Sequence, residues 1–444
     1  MTAGPDTAPR TERRALIHAL ASHRIPVTVL EPPGRPRVLV SARPGAGVVG
    51  VAVGAPAGFR TEAPGEEGLA HLLEHLMFRG GDEDGGFLQQ VHHRGGTTNA
   101  STHLDHTLYW QELPHHALAE ALRDEAERFT RPLLTSEAVA RQREIVLEEI
   151  ASNVENQPLG GFPWARLPAV AFRDHANRHN GYGTRESLAR ATVASAESFF
   201  SRHYHPSRLS VAVVGDVDPE EVRAVMLRAW PEAGPPPPLP TPGPAVFVPG
   251  RHTGTDPFIA SPAVAVGWPV PSAGTSPREH AAAMLLADML GGGSESRLHD
   301  RLVLDTGIAR MTSCYVGFND PLQCHSPKLL VAEAHLVREA DPDRAVELVR
   351  DEVARLATDV DEESMEGTAL FSLIAFWRSL ENCTGQARAL AAHGVLHGSA
   401  DRLLGHPSLV SSVGAEDIRR CATRILRTPP AVLAVRPQDK GTRS

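Results

Sequence analysis

The sequence predicts an α+β protein made of two homologous domains, each an α/β sandwich with a mostly antiparallel sheet flanked by helices. Three observations predict this class. Valine-rich strand-like runs alternate with amphipathic helices, a sequence element recurs in the second half, and a Pro/Gly-rich stretch separates the two copies. A chain of 444 residues is also longer than one ordinary hydrophobic core supports, so two or more domains are expected.

The first half begins with three strand-like segments, RIPVTVLEP, PRVLVSARP and VVGVAVGA, which are rich in β-branched residues. A Leu-rich helix, GLAHLLEHLMFRGG, follows, and then a helix around GGFLQQVHHRGG. The alternating stretch TTNASTHLDHTLYWQELP predicts strand structure, with His103 and Asp105 on one face and His106 on the other. Helices through ALAEALRDEAERF and EAVARQREIVLEEIASNV come next, and RLSVAVVGDVDPEEVRAVMLRAW ends the half with a strand, a turn and a helix.

The second half repeats this order. VAVG occurs at Val51–Gly54 and again at Val264–Gly267, 213 positions later, and each copy precedes a Leu-rich helix that ends in glycines. Residues 231–250, PEAGPPPPLPTPGPAVFVPG, cannot sustain a helix and are typical of a linker. The predicted organisation is an N-terminal tail (1–24), a first domain (25–230), the linker (231–250), a second domain (251–436) and a C-terminal tail (437–444).

The composition argues against several classes of function. A formal charge of −9 and a pI near 6.2 provide no basic surface for nucleic acid. The sequence has no apolar leader and no apolar run long enough to span a bilayer, so we expect a cytoplasmic protein without a membrane or nucleic-acid partner. The segment RTERRALIHALASHR resembles a transit peptide, but Asp6 and Glu12 count against one. Four cysteines without a C-x-x-C pair fit neither a disulfide framework nor a thiolate zinc site.

The helix GLAHLLEHLMFRG carries His71, Glu74 and His75 in an otherwise apolar run. Residues four apart share a helix face, so both imidazoles can reach one metal ion, and Glu74 points the same way. This H-x-x-E-H pattern is the inverted zinc-peptidase motif, in which the carboxylate is a general base and not a ligand. The alternative is a chance match in a chain with 22 histidines.

The second copy of this helix lacks the metal set. The equivalent positions, 213 residues further on, are Met284, Ala287 and Asp288. The fold therefore does not require histidines on this helix, and only the first half is expected to bind metal.

A hydrolytic zinc site needs three protein ligands and one open position for water. Candidates for the third ligand lie in REIVLEEIASNVENQP, where Glu144, Glu148 and Glu149 share one predicted helix. Periodicity alone does not choose among them, and each could instead lie on a solvated helix face.

Four segments together resemble the M16 family of metallopeptidases, which includes the mitochondrial processing peptidase, insulysin and pitrilysin. The segments are HLLEH, the Asn-Ala pair in GGTTNASTHLDHTLY, the IVLEEI that follows the motif, and RHYHPSRLSVAVVGDVD. The resemblance continues to about residue 436. Within the family, the chain resembles a compact bacterial member that is similar to the beta subunit of the processing peptidase.

The resemblance implies a zinc endopeptidase whose metal ligands are His71, His75 and Glu149. Glu74 then takes a proton from the attacking water and later gives it to the leaving amine. The substrates would be extended or unfolded peptides, as in the removal of a leader peptide or presequence or in peptide degradation. The family also forms a clam-shell chamber of four homologous domains, of which this chain would supply half.

The family binds its peptide by adding it as a strand to the edge of a sheet. The matching segment here has four residues: Asn99, Ala100, Ser101 and Thr102. These four are therefore the expected substrate-binding residues.

Two features depart from the family pattern. Members usually carry a glutamate seven residues before the zinc-binding one, which supports the metal helix, and here that position is Gln142, which adds no negative charge. Members that act alone also carry an Arg and a Tyr in the second half, at positions matched here by Val303 and Arg310. The resemblance therefore implies a heterodimer with a homologous chain that lacks H-x-x-E-H but keeps the Arg/Tyr pair. The rival interpretation is a non-catalytic scaffold subunit, like the respiratory-chain core subunits of the family.

Overall fold

The computed structural model describes residues 7–79, 86–239, 242–271, 274, 276–318, 321–325 and 329–438. Within these ranges the chain forms two sheets covered by helices, which confirms the predicted α+β class. No helix in the described part of the chain is both long and apolar enough to cross a membrane. All four cysteines are free, and three of them are buried.

The first half contains a six-stranded sheet. Its strands are β1 (Thr28–Leu30), β2 (Arg37–Ala42), β3 (Val48–Ala55), β4 (Thr97–Thr102), β5 (Thr107–Pro114) and β6 (Ser210–Gly215). Its helices are α1 (Thr7–Ser22), α2 (Leu69–Arg79), α3 (Gly86–His93), α4 (Leu118–Thr130), α5 (Ser136–Ile150), α6 (Arg166–Ala171), α7 (His175–Arg178), α8 (Arg185–Ala189), α9 (Val193–His203) and α10 (Pro219–Ala229). The strand order is β1-β2-β6-β3-β5-β4.

The second half contains a five-stranded sheet. Its strands are β7 (Gly250–Asp256), β8 (Ala263–Pro269), β9 (Ala309–Val316), β10 (Leu329–Leu336) and β11 (Ala431–Pro437). Its helices are α11 (Pro277–Gly291), α12 (Pro342–Thr358), α13 (Glu362–Ser379), α14 (Cys383–His397), α15 (Asp401–Ser411) and α16 (Ala415–Arg427). The strand order is β7-β11-β8-β10-β9.

The two sheets share one topology. Strands β7, β11, β8, β10 and β9 repeat the order of β2, β6, β3, β5 and β4. The first pair of each series is parallel, and the other neighbours are antiparallel. Equal order and equal direction in both halves confirm the predicted pair of homologous domains.

Each half places one helix on the sheet of the other half. Helix α14 packs on β3 and β6, where its apolar side chains join residues of the first sheet in one core. Helix α6 packs on β8 and β11 in the same way. The central strands are consequently buried on both faces, which explains their continuous valine-rich sequences.

Most of the segment predicted as an N-terminal tail belongs to helix α1. This helix packs against α13 and α15 of the second half. Arg10 donates hydrogen bonds to Glu362 and Glu366, and Arg14 donates one to Glu366. Ile17 and Leu20 contact the second core, and this apolar burial is expected to stabilise the contact more than the partly exposed ion pairs do.

The alternating stretch TTNASTHLDHTLYWQELP folds as a hairpin and not as one strand. Strand β4 ends at Thr102 and β5 begins at Thr107, so the four residues between them form the turn. The backbone N–H of His103 donates to the carbonyl of His106 at 2.8 Å, and their rings stack with centroids 4.6 Å apart. The prediction that these two side chains lie on opposite faces of a strand is wrong, because the chain reverses direction between them.

Candidate metal centre

Helix α2 separates an apolar face from a polar one. Four side chains of the apolar face pack into the first core: Leu72, Leu73, Leu76 and Met77. The remaining face carries His71, Glu74 and His75, at the i, i+3 and i+4 positions that share one side of a helix. Burial of the leucines therefore fixes the direction in which the three polar side chains point.

A buried carboxylate, that of Glu62, holds the start of α2. It accepts hydrogen bonds from the backbone N–H groups of Gly68 at 3.1 Å and Ala70 at 2.8 Å, and His179 Nε2 lies 3.0 Å from its Oε2. Negative charge is favourable at a helix N-terminus. Burial raises the pKa of Glu62 to about 7, while His179 and the two N–H groups act in the opposite direction. Sequence reasoning missed Glu62 and His179, because neither belongs to a local motif.

The three expected metal ligands converge on one point. His71 Nε2 lies 3.6 Å from Glu149 Oε2, and His75 Nε2 lies 3.5 Å from Glu149 Oε1. Tetrahedral zinc with ligand bonds of about 2.0–2.2 Å keeps neighbouring ligand atoms roughly 3.3–3.6 Å apart. The two histidine–carboxylate distances therefore fit one zinc ion, and one ligand atom from each of the three residues lies within 4.8 Å of the other two. No other group of three or more metal-binding side chains with this proximity occurs in the described ranges.

Helix α5 presents Glu149 to α2. The helix begins after Thr135, whose hydroxyl accepts the backbone N–H of Ala138 at 3.1 Å. Glu144 and Glu148 are exposed to solvent, whereas Glu149 faces the two histidines. Of the three glutamates that periodicity left open, Glu149 is the one that the structure brings to the metal ligands.

Gln142 lies two turns before Glu149 and is buried in α5. Its Oε1 has no hydrogen-bond partner among the residues that the structure describes. The amide occupies the place of the usual glutamate, but its oxygen accepts no hydrogen bond there. Its supporting role for the metal helix stays a prediction.

Burial sets the protonation states at the site. It lowers the pKa of His71 to about 3, with the charge of His75 as a second cause, so this imidazole is neutral at pH 7 and able to bind a metal. Burial also raises the pKa of Glu74 to about 7, and the charge of Glu149 adds to this effect. The Thr102 hydroxyl opposes it by donating a hydrogen bond to Glu74 Oε2 at 2.6 Å. A carboxylate with such a pKa can both accept and release a proton near neutral pH.

The predicted peptide-binding segment forms β4, the outermost strand of the first sheet. Ser101 and Thr102 line the cavity beside α2, and Thr102 contacts Glu74. Asn99 is exposed, and its side-chain oxygen accepts the backbone N–H of Ala100 at 2.8 Å. The far side of β4 pairs with no other strand in the described part of the chain, so its backbone can bind an extended peptide.

A cavity of about 520 Å³ adjoins the metal ligands and draws its walls from both halves. The first half contributes His71 and Glu74, and aromatic side chains surround them: Phe59, Trp164 and Tyr182. The second half contributes Tyr315, Phe318 and Glu333. Sequence reasoning missed all three, because no motif marks them. Val303 and Arg310 are not among the lining residues, and Arg310 is exposed on β9.

Two family models match the chain. The model described as insulinase, peptidase family M16, matches residues 37–180, and the one described as the peptidase M16 inactive domain matches residues 190–369. The first match contains the three candidate ligands and Glu74. The second begins near the end of the first half and covers most of the half without a metal set.

Three individual proteases are similar to this chain. The zinc protease PqqE of Helicobacter pylori is 32% identical over 178 residues, which are only 40% of this chain and 40% of that protein. An uncharacterized zinc protease of Streptomyces coelicolor is 26% identical over 437 residues, or 92% of this chain and 89% of that protein. The crystal structure of a protease from Helicobacter pylori has the same fold, with a TM-score of 0.85 at 21% identity over 94% of this chain and 100% of that one.

Proposed function

Because the chain belongs to the M16 family of peptidases, we propose that it is a zinc-dependent endopeptidase that cleaves extended or unfolded peptides. The observation that carries this proposal is the convergence of His71, His75 and Glu149 within zinc-binding distance of one another, with Glu74 on the same cavity wall. A scaffold protein has no evident use for Glu74, a carboxylate that does not belong to the ligand set.

The mechanism follows from the groups around the cavity. His71, His75 and Glu149 would hold a zinc ion, which would supply a Lewis acid that polarises the scissile carbonyl and lowers the pKa of a water molecule. Glu74 accepts the proton of the attacking water and transfers it to the leaving nitrogen. Thr102 holds Glu74 in place through its hydroxyl group. The β4 edge would align the peptide by backbone hydrogen bonds, beside a cavity that is lined by Phe59, Trp164 and Tyr182.

Strand addition at β4 requires an extended substrate, because a folded protein does not offer a free strand of backbone. The candidate substrates are therefore leader peptides, presequences and peptide fragments. Digestion of a denatured peptide pool should be rapid, and a compact folded protein should resist cleavage. Rapid cleavage of the folded protein at its surface loops would contradict strand addition.

We also infer that the active form is a heterodimer with a homologous chain that lacks H-x-x-E-H and carries the Arg/Tyr pair. This chain has Val303 and Arg310 at the matching positions, so a homodimer would contain no such pair. Misplaced peptide can lower a rate by on the order of 10²-fold. The isolated chain should thus have weak peptidase activity, and addition of the homologue should restore it. Robust cleavage by a pure homodimer would refute this partner.

The decisive experiment on the activity is Glu74→Gln. The variant should retain zinc and lose peptide cleavage by roughly 10²–10⁴-fold, because it removes the base and keeps the ligands. Glu148→Gln, on the exposed face of α5, is the matched control and should cleave normally. Unchanged cleavage in Glu74→Gln would exclude the mechanism. A wild-type complex that binds zinc and cleaves no peptide would favour the scaffold.

A further inference from the structure

We propose that Glu333 forms a subsite for a positively charged side chain of the peptide, with arginine preferred over lysine. This inference rests on the proposed peptidase function and adds a substrate class to it. It concerns the wall of the cavity that the second half contributes, opposite the metal helix.

Glu333 lies in the middle of β10, where one face of the second sheet meets the cavity. Leu329 and Val331, on the same face of the strand, are buried in the apolar core that surrounds α6. At Glu333 the side chain is half-buried and lines the same cavity as His71 and Glu74. A peptide held beside Glu74 therefore has side chains within the space that Glu333 faces.

Two hydroxyl groups fix the carboxylate. Ser313, directly opposite on β9, donates a hydrogen bond to Oε1 at 2.9 Å, and Tyr315 donates one to Oε2 at 3.0 Å. Each oxygen therefore has one neutral donor and keeps acceptor capacity for another group. The hydroxyls orient the carboxylate without neutralising its charge.

Among the residues that the structure describes, no cation balances Glu333. No ion pair among the described residues includes Glu333, and no Arg or Lys lines the described walls. His179 is bonded to Glu62, and His71 is one of the metal ligands. Glu149 and Glu74 together balance the two charges of a zinc ion. The half-buried carboxylate of Glu333 is thus uncompensated, and such a group gains from a partner of opposite charge.

The walls next to Glu333 suit a guanidinium group. Tyr315 and Phe318 from the second half and Trp164 from the first line the same cavity. Aromatic faces attract cations and also cover the methylene stem of a long side chain. A guanidinium can bind a carboxylate through two hydrogen bonds, whereas an ammonium binds as a point charge. This difference is the reason for the expected preference for arginine.

The test compares peptides that differ by one charge. Arginine, lysine and citrulline, the neutral isostere of arginine, are placed in turn at each position around the cleavage site, and kcat/KM is measured with the chain and its homologue together. Lysine peptides should be cleaved less well than arginine peptides, and equal values of kcat/KM would refute the preference for arginine. At one position the kcat/KM of the wild type should be about 10–100-fold higher for arginine than for citrulline, which is the usual effect of a hydrogen bond to a charged group. In Glu333→Gln the ratio should fall to within about threefold, because the amide keeps the shape and loses the charge. Glu339→Gln, at an exposed position after β10, should keep the wild-type ratio.

Failure of this inference is separable from failure of the proposed function. If the wild type cleaves both peptides equally at every position, or if Glu333→Gln keeps the arginine preference, the subsite is refuted while the peptidase stands. If no peptide is cleaved, binding of the same pairs to the wild type and to Glu333→Gln decides the question by calorimetry. An arginine preference in binding that Glu333→Gln abolishes supports the subsite, and equal binding overturns it.

Discussion

Helices α2 and α11 occupy equivalent places in two domains of one topology, yet among the described residues only α2 contributes to a cluster of possible metal ligands. The less buried face of α2 carries His71 and His75, and the equivalent face of α11 carries Met284 and Asp288. Burial raises the pKa of Asp288 to about 6. The duplicated fold therefore determines where such side chains point, and the identity of a few residues determines whether chemistry occurs there.

Helices α6 and α14, each of which packs on the sheet of the other half, differ in the polarity of their contacts. Helix α6 meets the second sheet through an apolar core that includes Phe162, Leu167 and Phe172. Helix α14 meets the first half through apolar residues and also brings His393 and His397 next to the β4–β5 turn. The α6 contact is thus mainly apolar, apart from the ion pair of Arg166 and Asp256 at 3.9 Å, whereas the α14 contact is rich in buried histidines.

The largest effect is expected at the third metal ligand. Glu149→Gln should weaken zinc binding by more than about 100-fold and abolish peptide cleavage, because it removes an anionic ligand from the first half. Glu148→Gln is the matched control, since its side chain is exposed one residue earlier. The zinc affinity of both variants is measured by titration, and their activity by peptide cleavage. The reverse pattern would assign the ligand to Glu148 and refute the proposed set of His71, His75 and Glu149.

The equivalent glycines of the two VAVG copies should respond differently to alanine. A Cβ at Gly54 would meet Val395 Cγ2 of α14 at 2.8 Å and the carbonyl oxygen of Ala391 at 3.1 Å. The nearest atoms to a Cβ at Gly267 would be the ends of the Leu167 and Leu329 side chains, at 3.1 Å or more. Gly54→Ala should therefore lower the free energy of unfolding by about 1–3 kcal/mol, and Gly267→Ala by less than about 1 kcal/mol.

Urea unfolding midpoints at equal slope give both values. Equal losses in the two variants would show that α14 adjusts as easily as α6. In that case the packing of both helices, α6 and α14, would tolerate an added methyl group equally well.

Acid should also act differently on the two interfaces. Burial lowers the pKa of His103 to about 4 and that of His393 to about 3, and it lowers the pKa of His106 further below its usual range. The positive charge of nearby Arg388 lowers the pKa of His103 further. Because these pKa values lie below those of the unfolded chain, stability is full above about pH 6.5 and falls as the pH drops from there toward 4. Each histidine contributes a loss of up to about 1.4 kcal/mol per pH unit.

Hydrogen exchange can locate this acid effect. Between pH 7.5 and pH 5, amide protection corrected for intrinsic rates should decrease more in α14 than in α6. Equal decreases in the two helices would contradict the contrast between the histidine-rich interface and the apolar one.

Local pattern explains what could be predicted from the sequence. The period of α2 places His71, Glu74 and His75 on one face, and the repeated VAVG element predicts two domains, because both signals lie within short segments. Periodicity could not choose Glu149, since the choice depends on how α5 packs against α2. Glu333 had no local signal at all. Its role depends on the approach of the second half to the metal helix, which only the tertiary structure describes.

The central claim is that one half of the chain binds metal and the other does not. Zinc content per chain, measured by mass spectrometry on metal-loaded protein, tests it most directly. We expect about one zinc in the wild type, almost none in His71→Ala, and about one in Met284→Ala, the equivalent change in α11. Retention of zinc in His71→Ala, or a wild-type chain that binds none, would contradict the claim.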